Sequence, residues 1–285
     1  MFDLNRYLKT CKAEVDEILF KCLPAADKGC PEKLAEAMAY AVKSGGKRLR
    51  PILCLAAAEA AGGRRDAARM PACAVELLHS YTLVHDDLPC MDNDMLRRGQ
   101  LSVHAKYGEA LAILTGDALL SLAFETLAET PADDAKTMAG LFFELSRASG
   151  ASGVIGGQVA DLAYAGNASA DAVNYVFEHK TADLFRAAVC MGAMTASAPH
   201  AVISHLSAYA GHLGFAFQVI DDIIDAGQAT SDDEPELSCL DIMSVEEAHE
   251  NAAEHTRKAL ALLDGLPGNT EALAAIAEMM LKRAV

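Results

Sequence analysis

The chemistry in this sequence is concentrated in two groups of aspartates, each set in a run of apolar residues. In Gln218-Val-Ile-Asp-Asp-Ile-Ile-Asp225, Asp221 and Asp225 are four apart, so on a helix their carboxylates share one face about 6 Å apart. Asp222 stands beside them. In His85-Asp-Asp-Leu-Pro-Cys-Met-Asp92, Pro89 cannot continue a regular helix, so Asp86, Asp87 and Asp92 crowd toward a helix C-terminus. The dipole at that end attracts cations. Like charges so placed repel unless a cation lies between them, and oxygen-only donors select a hard ion such as Mg²⁺. A solvated helix end or a cap would account for either cluster alone. Two clusters, both flanked by apolar helix, point instead to metal ions. Each Mg²⁺ takes only one or two protein carboxylates, so the rest of its shell implies a phosphorylated ligand.

The basic residues fall where such a ligand needs them. Lys43-Ser-Gly-Gly-Lys-Arg-Leu-Arg-Pro51 places four cations in eight residues beside a Gly-Gly pair; glycine lets backbone approach a ligand closely and the cations suit phosphate. Taken alone this is a basic loop. Arg97-Arg98-Gly99 follows the first aspartates by a few residues. His79 precedes Asp86 by seven residues, two helical turns, and projects from the same side. Gln218, three before Asp221, and Lys180-Thr181 are further polar candidates within apolar runs.

The elements that must position these groups are helices. Of 285 residues, 52% are hydrophobic and only 6% aromatic, with no Trp; alternating Val, Ile and Thr are scarce, which leaves little material for sheets. Apolar segments Pro71 to Asp87, Ala110 to Glu129, Asp171 to Met194 and Ala201 to Asp225 are readable as helices packed antiparallel. Breaks fall at Gly62-Gly63, Pro131 to Asp134, Gly150 to Gly153, Gly166 to Ala170, Thr195 to His200, Gly227 to Pro235 and Leu266 to Asn269. None is a long linker, so residues 1–285 are expected to form a single all-α domain. Ala112 to Ala128 is apolar on more than one face, which requires it to be surrounded by other helices or by a second subunit; a homodimer is the expectation.

Composition also excludes. A net charge of −16 repels nucleic acid and anionic membrane. Eight cysteines form no C-x-x-C pair, so buried reduced thiols are expected. The start MFDLNRYLKTCKAEVDE lacks a signal or transit pattern, and no uncharged apolar stretch is long enough to span a bilayer; the expected location is the cytoplasm.

Gly45-Gly-Lys-Arg-Leu-Arg-Pro51, the run His85 to Gly99, Gly156-Gly-Gln158, His179-Lys-Thr181 and Gly214-Phe-Ala-Phe-Gln218 leading to Asp225 together resemble the trans-isoprenyl diphosphate synthases, especially the bacterial farnesyl type. Order and spacing match over roughly residues 30 to 226. The resemblance implies a bundle of long helices around a deep cavity, the isoprenoid synthase fold, with Mg²⁺, about three ions per site, held by Asp86, Asp87, Asp92, Asp221, Asp222 and Asp225. It implies that Lys47, Arg50, His79 and Arg98 bind isopentenyl diphosphate and that Arg97 and Lys180 face the allylic diphosphate. Thr181 and Gln218 would stand near the reacting carbons. Tyr81, about 7.5 Å down the helix axis from Asp86, and Thr82 would set chain length, with a C15 product expected. A geranyl or geranylgeranyl product is the alternative. A terpene cyclase is disfavoured, having no need of the Lys47/Arg50/His79 set.

One stretch departs from the family pattern. Where that pattern carries a Gly-Lys loop and a Lys-x-Thr-Tyr element, residues Ala226 to Asp241 hold no lysine and several acids. A noncatalytic, synthase-like regulatory subunit is therefore the second reading beside an active enzyme.

Overall fold

Helix follows helix along this chain because Ala and Leu recur at helical spacing and the interruptions are short. The computed structural model describes residues 2–26, 29–132, 134–164, 167–227 and 237–284. In order come α1 (Leu4–Cys22), α2 (Glu32–Lys43), α3 (Leu49–Ala60), α4 (Arg69–Asp86), α5 (Val103–Tyr107), α6 (Glu109–Ala128), α7 (Ala135–Ser149) and α8 (Val154–Tyr164). Then follow α9 (Ala170–Val176), α10 (Asp183–Thr195), α11 (His200–Ala226), α12 (Val245–Ala261) and α13 (Glu271–Leu281). The fold is all-α, as the composition requires. Local signals start several helices: Asp3, Asp134, Ser169 and Ser244 cap α1, α7, α9 and α12, and Ser244 pairs with Glu247 in a capping box. Each such cap is worth about 1 kcal/mol.

The centre of the bundle is α10, packed against α3, α4, α7 and α11. It is buried from Leu184 to Ala193 apart from Arg186, the pattern of a helix surrounded on all sides. Gly192 makes this possible, because a Cβ there would strike the carbonyl of Cys54 on α3. α4 lies between α3 and α6, and α11 runs beside α10 with α12 on its other flank. The two long helices that carry the aspartates are thereby held on either side of α10.

The structure adds three features to the sequence reading. Between α9 and α10 the chain forms a π-helical turn, Phe177–Ala182, where the sequence predicts one continuous helix from Asp171. A two-stranded antiparallel hairpin, β1 (Leu96–Arg97) and β2 (Gln100–Leu101), follows the first aspartates. Its turn residues Arg98 and Gly99 both have positive φ, 55° and 76°, the geometry that suits the right-handed twist of paired strands. Finally, α6 is long and apolar enough to cross a membrane by length and composition, although Asp117 and Glu125 interrupt it, in line with the expectation that no uncharged stretch is long enough. Its Ala112, Leu119, Ala123 and Leu127 are buried within the bundle beside α4, while Ile113 and Leu114 stay exposed.

Candidate active site

A cavity of about 460 Å³ opens between α3, α4, α11 and the turn before α3. Lys47, Arg50, His79, Arg98, Phe217 and Arg283 line it, so the four residues expected to bind isopentenyl diphosphate are brought to one place. The turn is shaped by Gly45 and Gly46, at φ 102° and 128°. The backbone there favours glycine, and a Cβ on Gly46 would come within 2.7 Å of the Arg98 guanidinium, which would have to shift. Arg98 also donates to the Gly45 carbonyl.

Arg48 explains why Lys47 and Arg50 face the cavity. Its guanidinium is buried and bonded to Asp16 of α1 at 2.8 Å, Glu76 of α4 at 2.8 Å and the Val42 carbonyl at 2.7 Å. Holding it there requires the left-handed backbone, φ 52°, just before α3. The residue acts as a peg that turns its neighbours outward.

Arg50 crosses the cavity wall with its guanidinium carbon 4.8 Å from the centre of the Phe185 ring. Burial pushes its pKa down to about 10, still cationic at neutral pH. Its Nη1 lies 3.2 Å from His79 Nε2. Arginine can only donate, so His79 accepts there and is neutral. Burial, reinforced by Arg50, holds the His79 pKa well below its ordinary value. Arg50 Nε is buried with no protein acceptor, a vacant donor of the kind an anionic ligand satisfies.

The first acidic cluster sits at the end of α4. Burial pushes Asp86 up to about 7, against the pull of Lys180, and Asp92 is raised by burial in the same way. The backbone closes on itself, with the Asp92 N–H on the Asp86 carbonyl at 2.9 Å. Asp87 is different. It is 2% exposed and accepts both Nε, at 2.7 Å, and Nη2 of Arg97, while Arg97 also reaches Asp94 at 2.7 Å. The hairpin thus sends its two arginines apart: Arg97 to the aspartates, Arg98 to the basic cavity. His85 points away to α6, with Nε2 3.0 Å from the Ile113 carbonyl, where Gly116 leaves room for its ring.

The second cluster lies in the last turns of α11. Burial raises Asp221 to about 6, although Arg283, from the turn after α13, bonds it at 2.9 Å. Asp225 is raised by burial and by Asp222. Asp222, 8% exposed, has both oxygens engaged: Oδ1 accepts Gln218 Nε2 at 3.0 Å, and Oδ2 accepts Ser238 Oγ at 3.0 Å and the Cys239 N–H at 2.7 Å.

The π-helical turn joins the two clusters. Lys180 Nζ bonds Asp161 of α8 at 2.5 Å. Burial alone would depress Lys180, yet Asp161, Asp86 and Asp92 hold it above its ordinary value. The next residue, Thr181, donates to Gln218 Oε1 at 2.8 Å, one turn before Asp222. Two glycines let neighbouring helices press on this turn from both sides: a Cβ on Gly157 would strike the Lys180 backbone, and one on Gly214 would come 2.7 Å from the Ala182 Cα. The Gly-Gly-Gln and Gly-Phe motifs are therefore packing surfaces for the wide turn that presents Lys180 and Thr181. Single π turns of this kind recur at functional sites.

Lower on α4, Tyr81 is buried with its ring edge-on to His85, centroids 5.6 Å apart. The Thr82 hydroxyl donates to its own helix, to the His79 carbonyl at 2.9 Å.

Asp161, Arg283 and Glu76 are the members of this site that the sequence reading missed. Asp161 had a signal, being three residues after Gln158 on one helix face. Of the lysine-free stretch, residues 228–236 lie outside the described residues. The acids fit a hard divalent ion: they are oxygen donors, Asp86 and Asp221 half-buried and Asp92 and Asp225 open to solvent, and desolvation raises all four above the ordinary range. Among the described residues no three acids, histidines or cysteines converge enough to hold an ion by themselves. That is the arrangement expected if each ion takes one or two carboxylates and completes its shell on phosphate oxygens.

All-helical packing around a cationic cavity flanked by paired acids is the architecture of the prenyl diphosphate synthases. The chain belongs to the polyprenyl synthetase family, whose model matches residues 31–244. It is 45% identical over 227 residues, 79% of this chain and 65% of the relative, to a dimethylallyltranstransferase of Fischerella ambigua. It is 39% identical over 266 residues, 89% of this chain and 72% of the relative, to the chloroplastic geranylgeranyl pyrophosphate synthase of Capsicum annuum. The chain thus spans about two thirds of the length of these curated relatives. Among solved structures, the apo FPP/GFPP synthase of Zymomonas mobilis superposes with a TM-score of 0.86 at 35% identity, covering 98% of each chain.

Proposed function

We propose that this protein is a Mg²⁺-dependent trans-prenyltransferase that joins isopentenyl diphosphate to an allylic diphosphate, dimethylallyl or geranyl. The observation that carries the reading is the pairing of a cavity lined by Lys47, Arg50, His79 and Arg98 with two acid clusters joined by the turn bearing Lys180 and Thr181. Asp86, Asp92, Asp221 and Asp225 hold the ions, which supply positive charge to the departing diphosphate. Asp87 is tied to Arg97 of the hairpin, and Asp222 to Gln218. Lys180 adds a cation beside Asp86 and Asp92. Lys47, Arg50 and Arg98 grip the second diphosphate, with neutral His79 fixing Arg50. Thr181 and Gln218 turn oxygen lone pairs toward the allylic cation as its C–O bond ionises in a site shielded from water. Isopentenyl diphosphate attacks, and the proton lost from it passes to the departing diphosphate.

For the product we propose mainly C15, because the bulky Tyr81 ring is buried on α4 five residues before Asp86. The relative from Capsicum annuum named for geranylgeranyl pyrophosphate supports C20 as the second reading. Exposed Ile113 and Leu114 of α6, Phe143 of α7 and Ile155 and Val159 of α8 support association with a second copy. The test is incubation of purified protein with isopentenyl and dimethylallyl diphosphates and Mg²⁺, followed by chain-length analysis. Products support the enzyme; none, with tight binding to another synthase, supports the regulatory-subunit reading. Tyr81→Ala is expected to lengthen the product by at least one isoprene unit, and an unchanged spectrum would remove Tyr81 from that role.

A further inference from the structure

The hydrogen bonds behind Thr181 have a readable direction. Ser238 caps the 3-10 turn Cys239–Asp241; its oxygen accepts the Leu240 N–H at 3.2 Å, while its own N–H donates to Asp241 at 3.1 Å. With that oxygen already accepting, its hydroxyl proton goes to Asp222 Oδ2, 3.0 Å away, beside the Cys239 N–H. An ionised carboxylate accepts only. The Gln218 amide must therefore present Nε2 to Asp222 Oδ1, and its Oε1 is left facing Thr181. Thr181, 5% exposed, commits its only proton to that oxygen and keeps lone pairs alone for whatever lies in the site.

We propose that Ser238 is a positioning residue for the condensation: it holds in place the Asp222 carboxylate that sets the polarity of the Gln218 amide and the Thr181 hydroxyl, so that both present oxygen to the allylic cation. The inference rests on the proposed prenyltransferase reading. A neutral hydroxyl and a backbone N–H, both among the described residues, thus serve Asp222. Removing the hydroxyl leaves Asp222 one donor short, so the carboxylate and the amide can swing together. Misplacement of this size affects the reacting carbons more than the grip on diphosphate, which Lys47, Arg50 and Arg98 supply from another side.

Steady-state kinetics on the full chain at saturating Mg²⁺ and allylic substrate test this. Ser238→Ala is expected to lower kcat about tenfold, from the loss of one hydroxyl bond to a carboxylate, with the KM for isopentenyl diphosphate unchanged. Ser238→Thr, which keeps the hydroxyl, should stay within about twofold of the parent. An unchanged kcat in Ser238→Ala, a Thr variant as impaired as Ala, or a loss carried entirely by KM would each overturn the inference. Should Ser238→Ala not fold, Asp222→Asn serves: an amide can donate to Gln218 and release its orientation, and an undiminished kcat there overturns the inference equally. Absence of product from the parent protein would instead sink the prenyltransferase reading on which it stands.

Discussion

The two aspartate clusters carry nearly the same short pattern, yet the fold treats them differently. At the end of α4, Asp86 and Asp92 face a lysine sent across from the π-helical turn, and Asp87 is bound by an arginine of the adjoining hairpin. On α11, Asp221 meets an arginine from the turn after α13, and Asp222 is held by neutral donors. In both, the second acid of the pair is the more deeply buried and is hydrogen-bonded by the protein. The lesson is that the two acids of an Asp-Asp pair need not have equivalent surroundings. One acid anchors the helix end to its surroundings so that the other can be aimed.

Removing an aimed acid should do the most damage. Asp86→Ala and Asp221→Ala are each expected to lower kcat by about a thousandfold or more, since the charge on the leaving diphosphate then goes uncompensated; steady-state product formation reads this, and a loss below tenfold in either would break the symmetry between clusters. A smaller effect separates them. Arg283→Gln should change the Mg²⁺ concentration for half-maximal activity by about threefold, because a part-exposed ion pair is a modest competitor. It should act through Asp221 alone, so the double variant with Asp221→Asn should show no further shift.

The smallest effect is in stability. The folded values of Asp86, about 7, and Asp221, about 6, lie above the unfolded carboxyl value near 3.9. The fold therefore favours their neutral forms. That contribution is complete below about pH 4 and is lost as pH rises through 6 for Asp221 and through 7 for Asp86. Compared with the parent, metal-free Asp221→Asn should hold its melting temperature better as pH rises from about 4 to 6, and Asp86→Asn from about 4 to 7, so that the two differ between pH 6 and 7. Identical profiles for the two variants would contradict the assignment of different burial to each cluster.

Much of this was legible before any coordinates. The predicted helices Pro71 to Asp87, Ala110 to Glu129 and Ala201 to Asp225 correspond closely to α4, α6 and α11, because apolar periodicity and the Gly and Pro breaks agree there. The basic turn and Arg98 were readable from glycine beside cations. What escaped was set by tertiary packing. The π-helical turn has the same local composition as an α-helix, and its extra residue is stabilised by Gly157 and Gly214 of neighbouring helices. Arg48 sits among binding cations in sequence but is a buried peg, since only the fold brings Asp16 and Glu76 to it. Arg283 and Ser238 lie far along the chain from the acids they serve, and no spacing rule links them.

The central claim is that paired outer acids grip a diphosphate through shared divalent ions. Calorimetric titration of inorganic pyrophosphate into the protein, with and without Mg²⁺, tests it most directly. The account predicts binding that requires Mg²⁺ and is lost in both Asp86→Ala and Asp221→Ala. Equal affinity in the presence of a chelator, or retention of Mg²⁺-dependent binding in either variant, would contradict it.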